Sequence, residues 1–576
     1  MHMYLRAALA LCALTIVGCA AQSTPDATRD QTAQNQTPPP MPPPPPPGPP
    51  PPPAVMSQEQ RIAGYHGGRG IGALAAPTGV PYAQYAPQPR PGDMETERYR
   101  HDNDNPIHQV ATDPVSTFSI DVDTASYSNV RRFLNDGRLP PHDAVRIEEL
   151  VNYFDYNYPL PTTRNQPFST TVAMAPSPWS HGHTLLHIGL QGYNVIPRER
   201  PPLNLVLLLD VSGSMSPADR LPLAIQGFRM MVDQLGGKDK VSIVVYAGAA
   251  GAVLEPTPGS DHARIDAALD NLHAGGSTAG GEGLRLAYAM AERNFDPHAI
   301  NRVMIATDGD FNVGITDGQQ LQDFVTHERQ TGIYLSVLAF GRANYNDELM
   351  QRLAQNGNGT AAYIDTIAEA RRVLHDEMAS TLFPIANDVK IQVEFNPGRV
   401  AEYRLIGYET RMLNREDFNN DRVDAGEIGA GKSVTAIYEL TPTGGPSSVD
   451  PLRYQDGAHP APAHGGEIGF LRIRYKLPGQ DHSLLIERPI TDADMVSDIA
   501  RAPESTRWAT AVAAYGQMLR GEPFIDRDYR WDDVINLAQS ARGRDDYGWR
   551  AEFVQLARAA ATSAALPTAE NAQKPN

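Results

Sequence analysis

An apolar run that ends in three oxygen-bearing side chains constrains this chain more than any other stretch. Five of the six residues 203–208 are apolar, which is the pattern of a strand buried on both faces in a parallel sheet. Asp210, Ser212 and Ser214 follow at once, and Gly213 permits a tight turn between them. Ligands of open α/β sheets bind at the carboxyl ends of the strands. Hard oxygen donors that converge at such an edge suit Mg²⁺, Ca²⁺ or Mn²⁺.

The chain from 203 to about 378 alternates strand and helix patterns, which predicts a mostly parallel, doubly wound α/β sheet covered by helices. Two later loops carry further oxygens. Thr278 lies between glycine pairs just before a predicted helix, and Asp308 comes directly after a predicted buried strand. Each loop alone is weak evidence, since such sequences are common as helix entries and turns. What is specific is the order of the three loops within one α/β unit.

At these residues the chain resembles a von Willebrand factor type A domain with an intact metal-ion-dependent adhesion site. The resemblance implies that Ser212, Ser214 and Thr278 supply hydroxyl oxygens to a divalent cation, while Asp210 and Asp308 act directly or through waters. It also implies an incomplete coordination shell, which an acidic residue of a protein partner fills. Neutral hydroxyl ligands leave the cation electrophilic enough to attract a carboxylate. Phosphate binding is the rival for such glycine loops, but the sequence contains no G-x-x-x-x-G-K-[ST] motif.

The amino terminus predicts a signal peptide and a lipid anchor. Residues 1–18 contain Arg6 followed by an apolar stretch that is too short to span a membrane. The tetrapeptide I-V-G-C resembles a bacterial lipobox, which would make Cys19 the lipidated first residue; an ordinary secretory signal is the alternative. The other cysteine, Cys12, lies in the same segment, so the rest of the chain has no thiol for a disulfide or a metal site. By the sorting rule of Gram-negative lipoproteins, Ala20 implies the outer membrane of the cell envelope.

A proline-rich segment follows the predicted anchor. Residues 38–53 are nearly all proline, which favours an extended polyproline II rod over a packed core. At about 3.1 Å per residue, such a rod would hold the folded part roughly 35 to 50 Å from the membrane. A ligand for a proline-binding domain is the weaker alternative. The formal net charge of -18 argues against a nucleic-acid partner.

The flanks of the α/β region predict two further layers. Alternating strand patterns occur both before it, at 168–195, and after 383, so we infer one antiparallel β-sandwich into which the α/β domain is inserted. Helices are predicted at 124–134 and 143–154. The resulting domain prediction is signal peptide 1–18, lipid anchor and disordered tether 19–105, amino-terminal α+β region 106–200, type A domain 201–380, β-sandwich region 381–500, carboxyl-terminal helices 501–562 and disordered tail 563–576.

Two other groups of polar residues are candidate sites in the sequence. His181, His183 and His187 are expected on one strand face, where a metal site would need them, but surface or hydrogen-bonded histidines are the favoured interpretation. Asp121 and Asp123 resemble a catalytic carboxylate pair, yet a cap for the following helix is favoured.

A third group lies in the segment D-F-N-N-D-R-V-D, which resembles the start of an EF-hand loop. Asp417, Asn419 and Asp421 match its first three ligand positions. Arg422 replaces the glycine of the sixth position and Ile428 replaces the glutamate of the twelfth. A solvated turn between two strands is therefore the favoured prediction.

The flanking sequences VSTFSIDVDTASYSNVRRFL and ARGRDDYGWRAEFVQLARAA are similar to those of a bacterial family of envelope lipoproteins with type A domains, and the match covers most of residues 98–562. The resemblance implies an architecture and no reaction. The leading hypothesis is a metal-dependent protein-binding module on a lipid anchor. A structural scaffold with a stabilising metal site is the alternative. A metal-dependent hydrolase is a weaker one, because the sequence has no G-x-S-x-G or H-E-x-x-H motif.

Overall fold

The computed structural model describes residues 97–162, 166–194, 200–247, 249–275, 280–309, 318–342, 345–449 and 466–566. These residues all belong to one compact unit, Ala86–Asn576. The predicted signal peptide, Cys19, the proline rod and Thr278 lie outside the described residues. Within that part of the chain, no helix combines the length and apolar character needed to cross a membrane.

The strands of the described residues are, in chain order, β1 (His108–Gln109), β2 (Val115–Ser119), β3 (Phe168–Pro176), β4 (Thr184–Gly192), β5 (Leu203–Asp210), β6 (Lys240–Tyr246), β7 (Ala250–Pro258), β8 (Ile300–Thr307), β9 (Ile333–Phe340), β10 (Ala361–Ile364), β11 (Pro384–Phe395), β12 (Val400–Ile406), β13 (Ile428–Gly429), β14 (Ser433–Pro442), β15 (Glu467–Lys476) and β16 (Ser483–Thr491).

The α-helices are α1 (Ala125–Asn135), α2 (Ile147–Val151), α3 (Leu221–Val232), α4 (His262–Asp270), α5 (Gly280–Arg293), α6 (Gly318–Gln330), α7 (Asp347–Asn356), α8 (Ile367–Arg371), α9 (Met378–Leu382), α10 (Glu504–Arg520), α11 (Trp531–Ser540) and α12 (Trp549–Ala565).

The predicted doubly wound sheet is confirmed. Its strand order is β10-β9-β8-β5-β6-β7, and only the edge strand β7 runs antiparallel to its neighbour. Every residue of the central strand β5 is buried. Leu205 and Leu207 pack with Phe228 of α3, whereas Val206 and Leu208 pack with Leu284 of α5. Because successive side chains of a strand point to opposite faces, the apolar run of β5 fills both helix-covered layers.

Antiparallel strands from both sides of this domain form the predicted β-sandwich. One sheet has the order β1-β12-β14-β4-β3, so β4, from before the parallel sheet, pairs with β14 from after it and with the edge strand β3. The other contains β13-β11-β15-β16, with β2 also paired to β11. Phe168 meets Tyr475 between the sheets, with ring centroids 4.8 Å apart, and Phe395 stacks on Tyr403 at 4.4 Å. The parallel-sheet region is therefore an insertion into the sandwich.

The carboxyl-terminal helical region covers the outer face of the first sandwich sheet. Trp508 of α10 is fully buried and contacts Phe553 of α12, with ring centroids 5.2 Å apart. Phe154 joins these two rings, and Leu185 and Ile437 contribute from the sheet beneath. The three tryptophan-bearing helices act as a hydrophobic layer, as their apolar stripes predict.

Two predicted boundaries are wrong. The helix expected at 143–154 is a short 3₁₀ turn followed by the five residues of α2. Asp143 does not cap it, because its carboxylate contacts His101 and His142. The helix ends early because Asn152 donates to the Asp121 carbonyl and accepts from Thr435 N. Such long-range hydrogen bonds are invisible to helical periodicity.

The predicted limits of the tether and the tail also need correction. Residues 97–105 fall within the predicted tether, but Glu97 pairs with Arg132 at 2.7 Å and the ring centroids of Tyr99 and Tyr345 lie 6.2 Å apart. At the other end, α12 continues through Ala565, three residues into the predicted tail that begins at residue 563. The sequence pattern did not predict order at residues 97–105, because this polar segment is held by ion pairs and single aromatic rings and has no apolar period.

Candidate metal-ion-dependent adhesion site

Two neighbouring strands bring Asp210 and Asp308 together. Strands β5 and β8 run parallel, with Leu209 opposite Ala306. Asp210 ends β5, and Asp308 follows Thr307 at the end of β8. The Thr307 hydroxyl lies 3.5 Å from Asp210 Oδ2, to which it donates. Both aspartates are buried at the carboxyl edge of the sheet, which is where the sequence predicts the site.

The loop after β5 turns its hydroxyls toward one another. Asp210 Oδ1 accepts a hydrogen bond from Ser212 N at 2.8 Å, and Ser212 Oγ lies 3.0 Å from Ser214 Oγ. A 3₁₀ turn at Gly213–Met215 follows, and the Met215 side chain is fully buried beneath it. The turn is thus held from below by packing and from within by Asp210.

The loop that carries Thr278 starts at the same edge. Gly275 N donates to the carbonyl of Val211 at 2.8 Å, three residues before Thr278. On the far side of the loop, Gly283 of α5 packs so tightly on Tyr246 that an added Cβ would lie 2.7 Å from the Tyr246 Cβ. The structure therefore places both approaches to this loop beside β5 and β6, while Thr278 itself is outside the described residues.

Burial dominates the electrostatics of these side chains. It raises the pKa of Asp210, against hydrogen bonds from Ser212 that lower it. Burial also raises the pKa of Tyr246 well above its usual range, and the nearby charge of Asp210 adds to that effect. A carboxylate that has lost water favours a compensating positive charge beside it.

Arg220 supplies such a charge to Asp308, the neighbouring carboxylate, and the sequence pattern did not predict it. Its Nη1 donates to Asp308 Oδ2 and, at 2.7 Å, to the Ser214 carbonyl, while Nη2 donates to the Arg342 carbonyl. The side chain is 11% exposed. Arg220 immediately precedes α3, where a basic residue ordinarily faces solvent, so nothing in the spacing marked it. It ties together three loops at the edge of the sheet.

The donor set fits a hard divalent cation. Asp308 Oδ1 is buried and accepts no hydrogen bond from any residue that the structure describes. A buried carboxylate oxygen without a donor is costly unless a cation or water satisfies it. Two serine hydroxyls and the Asp210 carboxylate lie on the neighbouring loop. Such oxygens are the ligands that Mg²⁺, Ca²⁺ and Mn²⁺ prefer.

The three histidines do not form a second site. His181 and His183 precede β4, so the expectation that all three share a strand face is wrong. His187 is buried, with Nε2 2.7 Å from the Tyr158 hydroxyl, and burial lowers its pKa to about 3. It is a neutral hydrogen-bonding group of the sandwich core, which agrees with the favoured interpretation.

Asp121 and Asp123 hold an arginine. Arg411 donates to Asp121 Oδ2 at 2.9 Å and to Asp123 Oδ2 at 3.2 Å. The expected cap of α1 is wrong, because the residue before that helix has no side-chain capping bond and Asp123 Oδ1 instead accepts from Ala361 N. Burial and then the charge of Asp121 raise the pKa of Asp123 to about 7. The pair links the sandwich to strand β10.

Basic side chains fill the EF-hand-like loop. Lys390 Nζ donates to the carbonyls of Asp417 and Asn420, at 3.1 and 2.6 Å. The Asp421 carboxylate accepts from Arg474 at 3.0 Å, and the Asp421 carbonyl accepts from Lys476 at 2.8 Å. Of the side chains that a calcium ion would use, the Asp421 carboxylate is bound by a guanidinium group, and the Asp417 carboxylate accepts hydrogen bonds from Asn414. The favoured prediction of a turn is right, although the turn is anchored and only partly solvated.

Comparisons with known proteins agree with this architecture. The family models that match describe the von Willebrand factor (residues 93–187), the von Willebrand factor type A domain (residues 205–310) and the carboxyl-terminal part of the uncharacterized protein YfbK (residues 380–562). The uncharacterized protein YfbK of Escherichia coli (strain K12) is 46% identical over 468 residues, which are 80% of this chain and 80% of that protein.

Two more distant similarities cover parts of the fold. The uncharacterized protein sll0103 of a Synechocystis species is 30% identical over 173 residues, which are 30% of this chain and 40% of that protein. The solved structure of a von Willebrand factor type A protein from Catenulispora acidiphila is 15% identical, covers 70% of this chain and 91% of its own, and gives a TM-score of 0.38. From the extent of the match to the Escherichia coli protein, together with the type A and carboxyl-terminal models, the chain belongs to the YfbK family of proteins with a von Willebrand factor type A domain.

Proposed function

We propose that this chain is a lipid-anchored protein of the cell envelope whose type A domain binds a protein partner through a divalent cation. The cation is Mg²⁺, with Ca²⁺ or Mn²⁺ as alternatives. Its ligands are Asp210, Ser212, Ser214, Thr278 and Asp308, acting directly or through waters. An acidic side chain of the partner completes the coordination shell. Cys19 carries the lipid and holds the protein at the outer membrane.

The observation that supports this proposal most is that Asp308 Oδ1 accepts no hydrogen bond from the described residues. Asp308 Oδ1 is buried at the sheet edge where Asp210 and the two serine hydroxyls converge. Arg220 occupies only Oδ2 of the same carboxylate, so it fixes the direction in which Oδ1 points. The arrangement suits one additional cation with a preference for hard oxygen ligands.

Binding rather than catalysis is proposed because of how the carboxylates are held. Asp210 accepts from Ser212 N and from the Thr307 hydroxyl, and Asp308 accepts from Arg220. A carboxylate engaged by donors, and then by a metal, is a weak base for activating water. These groups can bind and orient an incoming carboxylate, and the proposal includes no reaction.

The proposal is tested by capture of envelope proteins on the immobilised full chain in Mg²⁺ buffer. We expect specific partners to be released by EDTA and to be absent from the Asp210→Ala protein. An Asp417→Ala protein is the matched control, since it removes an aspartate from the loop already occupied by Lys390. Partners that remain bound through both EDTA and Asp210→Ala would contradict the proposed function.

Thermal melts separate partner binding from a purely structural metal site. A cation that binds the folded state raises the melting temperature whether or not a partner exists. If Mg²⁺ stabilises the protein but no capture depends on it, the scaffold alternative replaces the adhesion proposal.

The lipid anchor is tested by metabolic labelling with a fatty acid. The label should appear on the wild-type chain and not on Cys19→Ser, and labelling of both would exclude Cys19 as the lipidation site.

A further inference from the structure

The site contains a cation of its own in Arg220. Its guanidinium contacts Asp308, the Ser214 carbonyl and the Arg342 carbonyl, so leaving the site would break hydrogen bonds to three loops. Gly341, with φ of +77°, lies against it: a Cβ at this position would be 2.3 Å from Arg220 Nε. The positive charge is therefore fixed in place by both hydrogen bonds and sterics.

This fixed charge alters the balance at the proposed metal site. Asp210 and Asp308 are the negatively charged side chains among its described ligands, and Arg220 offsets one of them. A bound divalent cation then leaves the cluster with a net positive charge, whereas without Arg220 the cluster would be neutral. A positive cluster attracts the metal less and attracts an incoming carboxylate more.

We propose that Arg220 sets the affinities of the site, weakening the binding of the metal and strengthening the binding of the partner's carboxylate. This inference rests on the proposed function. The geometry supports it because Arg220 uses Asp308 Oδ2 and leaves Oδ1 without a donor among the described residues. Metal and arginine can thus share one carboxylate without displacing each other. Arg220 is a positioning and charge-setting residue, and it is not a metal ligand.

Replacing the charge should shift the two affinities in opposite directions. In Arg220→Gln we expect Mg²⁺ to bind about three- to tenfold more tightly and a carboxylate to bind the metal-loaded site about three- to tenfold more weakly, at low salt where screening is small. Arg220→Lys retains the charge but cannot make all three hydrogen bonds of the guanidinium, so we expect it to shift both affinities less than Arg220→Gln does. Arg229→Gln removes the same charge from α3, where Arg229 pairs with Asp270, and is the matched control.

The experiment uses the full chain and two probes. Calorimetry measures the affinity of each protein for Mg²⁺ alone. The affinity for acetate is measured on the Mn²⁺-loaded protein, as the acetate concentration at which the electron paramagnetic resonance spectrum of the bound Mn²⁺ changes. Circular dichroism confirms that each variant is folded. The expected pattern is tighter Mg²⁺ binding and weaker acetate binding in Arg220→Gln, smaller shifts in Arg220→Lys, and neither change in Arg229→Gln.

Other patterns overturn the inference in distinguishable ways. If both affinities fall together in Arg220→Gln, or if Arg220→Lys behaves like it, Arg220 acts only by holding the loops. If wild type and Arg220→Gln bind Mg²⁺ equally, the charge has no role, while the proposed function stands. If the wild-type chain binds no divalent cation, the proposed function fails and this inference fails with it.

Discussion

Residues 210–214 and 417–421 carry similar oxygen donors, but the two loops differ in what those oxygens contact. In the first loop, serine hydroxyls approach each other beside Asp210, and a buried oxygen of Asp308 has no donor among the described residues. In the second, Lys390 occupies two carbonyls and Arg474 occupies the Asp421 carboxylate. Both loops looked capable of holding a cation in the sequence. The second has already obtained its positive charge from the protein itself.

The difference shows that a suitable spacing of ligand oxygens along the sequence is not sufficient for a metal site. A hard cation needs oxygens whose lone pairs remain available and whose negative charge is not already balanced. The first loop is intermediate between a site with no positive side chain and one whose oxygens are bound by basic side chains. Arg220 balances the charge of Asp308 but leaves Asp308 Oδ1 without a donor among the described residues. Four predictions test the contrast.

The largest expected effect is on metal binding at the first loop. Asp210→Ala should abolish the rise in stability that Mg²⁺ gives, which is about 2.7 kcal/mol at a Mg²⁺ concentration of about 100 times the Kd. The metal-free variant should stay folded, since the mutation removes a carboxylate whose pKa burial has raised. Calorimetric melts with and without Mg²⁺ check both points. An undiminished Mg²⁺ effect in Asp210→Ala would remove the contrast between the loops.

The next effect is on stability at the second loop. Lys390→Met keeps most of the apolar stem but removes the charged donor from the carbonyls of Asp417 and Asn420, each of which retains only one backbone donor. We expect the free energy of unfolding to fall by about 2 kcal/mol, measured by urea denaturation. Lys240→Met, at an exposed position of β6, is the control and should change little. Equal stability of both variants would mean that Lys390 does not anchor the loop.

A smaller effect is expected from Asp421→Asn. The change weakens the contacts with Arg474 and Ser483 and should lower the free energy of unfolding by about 1 kcal/mol, because the pair is partly exposed. Calcium and magnesium titrations of this variant should match those of the wild type. A loss of calcium binding in Asp421→Asn would show that the second loop is a metal site after all.

The smallest effect concerns pH at the same aspartate. Burial alone would raise the pKa of Asp421, but hydrogen bonds from Ser483 and Arg474 lower it below the ordinary 3.8. A carboxyl group with a lowered folded-state pKa contributes stability above its unfolded pKa and loses it as pH falls through the folded value. The stability difference between wild type and Asp421→Asn should therefore be constant above about pH 5 and shrink at lower pH. Urea denaturation over this range measures it, and a difference that grows in acid would reverse the assignment.

The sequence predicted the regular parts of the fold well because local pattern and tertiary environment agree there. Each of three patterns predicts which side chains are buried, and the structure contains the corresponding elements: the apolar run at β5, the alternation of strands and helices through β10, and the apolar stripes of α10 to α12. The insertion of the parallel sheet into the sandwich also followed from strand patterns on both flanks. Errors occurred at the 143–154 helix, where distant hydrogen bonds to Asn152 replace helical ones.

The sequence predicted where the candidate site residues lie but not the charges around them, and their role as metal ligands stays a prediction. Four of its five residues are described, and Asp210, Ser212, Ser214 and Asp308 lie at the predicted sheet edge. Arg220 could not be found, because its role depends on a carbonyl at Arg342 and a carboxylate at Asp308 that are far away in the chain. The same holds for the EF-hand-like loop, because Lys390 and Arg474, which bind it, lie far from it in the chain.

By itself, the sequence determined which segments form buried strands and amphipathic helices. It therefore also determined that two oxygen-bearing loops follow strands of one α/β sheet and that a third, with Thr278, precedes a helix of the same unit. Hydrophobic period and loop composition are local properties, so they are readable along the chain. The tertiary structure alone decided which carboxylates meet a basic side chain. Charge compensation acts over a few ångströms between residues that are far apart in sequence, and only folding brings Arg220 to Asp308 and Lys390 to the loop at Asp417.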